Sequence, residues 1–186
     1  MGYRHTREQI LEAATAVAVE GGLAALTFGN VGKRLGVADR TVVYYFRTKS
    51  ELAVAVVENL AAGLEALLEA AFGSEPSTPA ELVRKAWPVL ANEGSDRVFS
   101  LFFEIIGLSA SRQAPYDALA LAVVQRWVDW LATRTLGEGD AERRAGAMAA
   151  VAQIDGLLLL RNLLGPDAAE SAAAASGIAA RAPGGS

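Results

Sequence analysis

Residues 34–52 read RLGVADRTVVYYFRTKSEL. Gly36 ends one apolar-periodic stretch, residues 39–45 can form a short helix, and Thr48 with Glu51 three residues later marks another helix start. Side chains at that spacing satisfy each other's orphan amides. Two short helices, 28–35 and 39–45, joined by a three- or four-residue turn containing glycine are the sequence form of a helix-turn-helix, whose second helix sits in the major groove. Arg40, Thr41, Tyr44 and Tyr45 are expected to face outward. The tyrosine rings can pack on sugars while their hydroxyls meet phosphate oxygens, and Arg40 or Thr41 can reach base edges. Consecutive helical positions cannot both face a groove squarely, so the alternative stays open that one of the two tyrosines, Tyr44 in particular, packs in the small core with only its hydroxyl exposed.

Working outward, Thr6 and Gln9 form a capping box for a first helix over 6–20, with Ile10, Leu11, Ala14, Val17 and Ala18 on one face and Gly21-Gly22 as its stop. Thr27 can cap the second helix. Phe28, Val31, Leu35, Val37, Val42 and Phe46 are expected to supply a small core. Thr48-Lys49 places a cation and free amides where another phosphate would fit. Residues 1–50 carry seven basic side chains against four acidic ones, a net +3, and the remaining 136 residues carry −7. A basic N-terminal lobe on an acidic body suits a nucleic-acid reader with a separate effector region.

Alanine and leucine dominate, apolar residues recur three and four apart, and nothing alternates with period two, so the fold class is all-α. Further helices are expected over 49–72, 79–93, 96–111, 116–136, 140–164 and 167–180, with Thr78 and Glu81 boxing the start at Pro79. The chain has no cysteine and one histidine, His5, which excludes a zinc finger, a disulfide framework and a Ser-His or Cys-His arrangement. No pair of His, Asp or Glu stands at metal spacing, and no enzyme activity and no cofactor is expected. The polar HTREQ near Met1 is unlike a secretion signal, which points to the cytoplasm. MAAVAQIDGLLLLRNLLG is interrupted by Gln153, Asp155, Arg161 and Asn162, so it reads as a buried helix and not a membrane span.

TREQILEAA, ALTFGNVGKRLGVADRTVVYYFRTKSEL and the helices after them resemble the TetR/AcrR family of one-component transcriptional repressors. The shared motif covers about residues 6–55. The resemblance implies a helix-turn-helix DNA-binding domain over 1–50, a helical effector-binding and dimerisation domain over 51–182, and a tail at 183–186. It places Thr27, Thr41, Tyr44, Tyr45 and Lys49 at DNA-contact positions and Arg40 at the reading surface. Three positions depart from the family pattern: Ala38 where a serine cap is usual, Asp39 where lysine is frequent, and Val43 where a first tyrosine is common.

In the acidic body, Phe99, Phe102, Phe103 and Ile106 share one helical stripe, and Val123, Trp127, Trp130 and Leu131 another; Trp87 precedes a bending proline, Pro88. These aromatics either line a cavity for a hydrophobic or aromatic effector or fill a core. Asp155, on a face with Met148, Val151 and Leu158, needs a partner in an arginine, an amide or an effector, and Gln153 stands on a second face with Ala149, Gly156 and Leu160. Glu104 reads as a pocket-rim or solvated residue. The helix 140–164 is apolar on more than one side, and Ala145, Gly146, Ala149 and Gly156 would let helices approach closely, so a homodimer through about 140–180 is expected. The expected function is a ligand-responsive repressor of palindromic operator DNA, the alternative a helical interaction or apolar-ligand-binding protein that has lost specific DNA binding.

Overall fold

The computed structural model describes residues 5–179; Arg4 and the tail expected at 183–186 lie outside them. Among the described residues there are nine helices: α1 (Arg7–Ala25), α2 (Phe28–Leu35), α3 (Asp39–Tyr45), α4 (Lys49–Phe72), α5 (Pro79–Leu90), α6 (Glu93–Ala110), α7 (Tyr116–Ala132), α8 (Asp140–Leu164) and α9 (Pro166–Ala175). The all-α expectation holds, with boundaries that differ by a few residues; at the end of α7 a distant partner is the cause. α7 stops at Ala132 and not 136 because the next residues pair with Ser77, whose N–H donates to the Arg134 carbonyl at 2.9 Å while Leu136 N–H donates back to the Ser77 carbonyl at 3.0 Å. The chain divides into two compact units, Met1–Leu64 with Ser100–Ala120, and Glu65–Phe99 with Leu121–Ser186.

In the first unit α1 packs on α2 and α3, and α2 on α3. Ile10, Ala14, Ala18, Leu26, Val31, Val42, Phe46, Leu52 and Val56 have no exposed surface. Each large side chain so buried contributes roughly 1.5–3 kcal/mol, enough to hold short helices that would not persist alone. Phe28, Leu35 and Val37, expected in this core, are half-buried at its edge. The local signals act as read. Thr6 and Gln9 exchange both bonds of a capping box, Thr27 Oγ1 accepts from Asn30 N–H at 3.1 Å, and Gly36 closes α2 in the left-handed region at φ 69°. At α4 the box is shifted: Thr48 Oγ1 accepts from Glu51 N–H, but the Glu51 carboxylate takes the Arg47 amide.

The regular ladder of the first helix does break at the glycine pair, and a further turn follows it. Gly22 breaks the ladder with φ 74° and ψ −179°, and one more turn runs to Ala25. That ψ turns the following peptide plane away from the helix axis, and the Leu23 N–H donates to the Glu104 carboxylate of α6 at 3.0 Å. Glu104 therefore caps α1 while remaining exposed, as its solvated reading expects. Tyr116 is buried nearby; burial first, and the Glu104 charge second, push its phenol up.

In the second unit α5 and α9 both pack on α8. Ala147 and Ala150 of α8 and Ala169 and Ala173 of α9 are fully enclosed, the small side chains allowing close approach. Gly146 serves the same end inside the chain: a Cβ there would meet Thr135 Cγ2 at 2.7 Å and Pro79 Cγ at 3.1 Å. This is the close approach that a small residue at this position permits. Arg161, buried, is held by both Asp96 oxygens at 2.5 and 2.9 Å.

Candidate nucleic-acid interface and effector region

α3 presents one outward stripe. Val42 and the capping residue Phe46 point into the core with no exposed surface, so the positions on the opposite side, Asp39, Arg40, Val43 and Tyr44, are exposed. Tyr44 is 80% exposed. Thr41 and Tyr45 are half-buried at the flanks. The open question between the tyrosines is answered by a distant group: the Tyr45 hydroxyl donates to the His5 carbonyl at 2.6 Å, tying α3 to the start of α1. Tyr45 is thus the packed member of the pair, and Tyr44, set edge-on against it at 5.0 Å, is the displayed one. This corrects the expectation that both face outward.

The module's cations are not equivalent. Arg34 is bidentate to Glu20 at 2.7 and 2.9 Å, and the Arg7 guanidinium lies 4.7 Å over the Phe46 ring. Lys33, Arg40, Arg47 and Lys49 are exposed and make no ion pair among the described residues. Thr27 uses its oxygen to accept at the α2 cap, which leaves its proton to donate outward. Ala38 gives α3 no side-chain cap, and Asp39 does not take over that role in the usual way: its carboxylate accepts from the adjacent Arg40 N–H at 2.7 Å.

The expected effector-lining residues fall in both units, and each unit brings only some of them together. In the first, the Phe102 and Phe103 rings lie 5.6 Å apart and half-buried, and Ile106 is exposed. In the second, Trp130 meets Trp127 edge-on at 5.4 Å and Phe72 at 5.5 Å, with the Arg134 guanidinium 4.3 Å over its ring and paired to Glu69. Phe72 and Arg134 carried no sequence signal for this cluster. Trp87 is buried, and its indole N–H donates to Glu170 at 3.1 Å, so it is a satisfied core residue of its unit. Phe99 is half-buried. Gln153 and Asp155 stand half-buried on opposite flanks of α8. The Asp155 carboxylate has no hydrogen bond or ion pair among the described residues, and burial pushes it up to about 6.

Between those flanks α8 carries an exposed stripe of Ala145, Met148, Ala149, Ala152, Gly156, Leu159 and Leu163, spaced three and four apart. Met148 is 49% and Leu163 69% exposed. By length and composition alone this helix could cross a bilayer, yet its other side is packed on α5 and α9 through Ala147, Ala150, Leu157 and Leu158.

A compact module of three helices in which α2 and α3 meet at the Gly36 turn and α3 is displayed has the form of a helix-turn-helix. Residues 10–56 match the family model described as bacterial regulatory proteins, tetR family. No curated relative matches the sequence. Among solved structures the chain is similar to a transcriptional regulator from Rhodococcus sp. Rha1, at 24% identity over 90% of this chain and 91% of that one, TM-score 0.70. It is also similar to a TetR transcriptional regulator from Legionella pneumophila (21%, 96% and 95%, TM-score 0.64). A third is the multidrug binding protein EbrR complexed with proflavin (25%, 93% and 99%, TM-score 0.65). Residues 10–56 thus carry the N-terminal domain of the tetR family of bacterial regulatory proteins, and the chain as a whole has the fold of these solved regulators.

Proposed function

We propose that this protein is a ligand-responsive repressor that binds a palindromic operator as a homodimer and is released by a small hydrophobic or aromatic effector in the cytoplasm. The observation that carries the reading is the outward stripe of α3, with Arg40 and the 80% exposed Tyr44, on a lobe whose remaining cations include Lys49. In this reading residues 1–50 bind DNA and 51–182 bind effector and partner. Tyr44, Lys49 and Thr27 contact phosphates, and Arg40 and Thr41 face base edges. The exposed apolar stripe of α8 supports a partner copy over 140–180, because seven small or apolar residues in a row gain more from a matching helix than from water.

Within the second unit, the effector reading rests on the half-buried, unpaired Asp155 and on the aromatic cluster at Trp127-Trp130. It is supported by EbrR, which is seen complexed with proflavin and with malachite green. An effector must bind one arrangement of the two reading heads better than the other, since equal affinity shifts nothing. α4 starts beside Lys49 and ends at Phe72, so its tilt would alter the spacing of the two α3 helices. A coupling on the order of 1–3 kcal/mol suffices for release.

The test is titration with duplex DNA at several salt concentrations. Lys49→Ala should weaken binding to every sequence and flatten the log-log salt slope by about one unit. Wild-type protein that shows neither salt-dependent affinity nor sequence preference would instead favour the interaction-protein alternative, to which the acidic Asp39 on the displayed stripe gives some support.

A further inference from the structure

Val43 is the one feature of the displayed stripe that neither phosphate binding nor folding accounts for. It stands between Arg40 and Arg47 in sequence and shares the outward face with Asp39, Arg40 and Tyr44, all of them polar and exposed. It is 39% exposed in a helix only seven residues long. Its neighbour Val42 fills the core completely, so Val43 is not needed there. Nor does it serve the helix: a β-branched residue at an exposed position costs helix stability relative to alanine, lysine or glutamate. What it does offer is two methyl groups in essentially one χ1 rotamer, fixed to a helix whose orientation is set by Val42, Phe46 and the Tyr45 to His5 bond.

Resting on the reading of α3 as the helix that enters the major groove, we propose that Val43 is a specificity-determining residue that recognises the 5-methyl group of a thymine in each half-site. The major groove floor offers one apolar feature among its donors and acceptors, the thymine methyl, and it is matched by small apolar side chains. Val43 cannot bond to any of the alternatives: opposite a cytosine it would cover an amino group and opposite a purine an N7, leaving a polar edge without water or partner. The flanking groups sharpen the assignment. Arg40, one turn before Val43, suits a guanine edge, and Asp39 an amino group of cytosine, so the half-site is expected to place its thymine beside a G·C pair.

The experiment starts by selecting duplexes from a random pool with the full-length protein. Single thymines of the selected site are then replaced by deoxyuridine, which keeps every hydrogen-bonding group and removes only the methyl. One thymine per half-site should lose about fourfold in affinity on losing one methyl, and about fifteenfold when both half-sites are changed. The same replacement should have a clearly smaller effect on Val43→Ala, whose side chain falls short of the methyl, and which is exposed and should fold as the wild type does by circular dichroism and melting. Val43→Thr, retaining one methyl, should fall between. A selected site in which no thymine methyl matters, or one in which the sensitivity survives unchanged in Val43→Ala, overturns the assignment while leaving DNA binding intact. Failure to select any duplex removes the DNA-binding reading itself and this inference with it.

Discussion

Replacing Glu104 with alanine tests whether a single side chain on α6 holds the end of α1. The Leu23 N–H is turned out of the helical ladder by Gly22 and donates to the Glu104 carboxylate at 3.0 Å. A hydrogen bond to a charged group contributes about 1.5–3 kcal/mol. Glu104 is itself exposed and water can take its place in part, so the lower end, about 1–1.5 kcal/mol, is the expected loss. For a chain of this length that lowers Tm by about 3–5 °C. Leu23 and Leu26, buried beside the break, should become locally mobile, and amide exchange at Leu23 should accelerate about tenfold. Glu104→Gln retains an acceptor oxygen of the same reach without the charge and should lose less than half as much. Differential scanning calorimetry and hydrogen exchange by NMR read the two quantities separately. An alanine variant with unchanged Leu23 exchange would show that the amide is satisfied without Glu104, and the argument from the Gly22 geometry would be wrong.

Tyr45→Phe should destabilise the fold by about 1 kcal/mol through loss of the bond to the His5 carbonyl, leaving the DNA salt slope unchanged, whereas Tyr44→Phe should weaken DNA binding at constant Tm; the opposite pattern would reverse their roles. Gly156→Leu should be tolerated by the monomer, since a Cβ there meets nothing within 4 Å, but should raise the dimer dissociation constant at least about tenfold; sedimentation at micromolar concentration showing an intact dimer would place Gly156 outside the interface. Asp155, pushed by burial from 3.8 to about 6, holds its proton more tightly folded than unfolded, so stability should fall as pH rises from about 4 to about 6 and then level off. Asp155→Asn should therefore be more stable than wild type at pH 7.5, on the order of 1–2 kcal/mol, and about equal to it near pH 4; equal stability at both pH values would mean that the carboxylate is solvated.

The helix starts at Thr6, Thr27 and Thr78 and the turn at Gly36 were legible without coordinates. Each rests on hydrogen bonds between residues three or four apart, and on a backbone conformation that glycine alone adopts at little cost, so the information lies within one window of sequence. The all-helical fold and the outward stripe of α3 follow from the same local periodicity. Which tyrosine is displayed could not be read that way, because the deciding partner, the His5 carbonyl, lies forty residues from Tyr45 and belongs to another helix start. The same holds for Glu104 on the Leu23 amide, for Arg161 on Asp96, and for the pairing with Ser77 that ends α7 at Ala132. Gly146 and Gly156 look alike in sequence, one facing Pro79 and Thr135 within the chain and the other facing outward. A periodic pattern says that a face is apolar; only packing says what covers it, because burial depends on which distant helices arrive there and how closely their side chains let them approach.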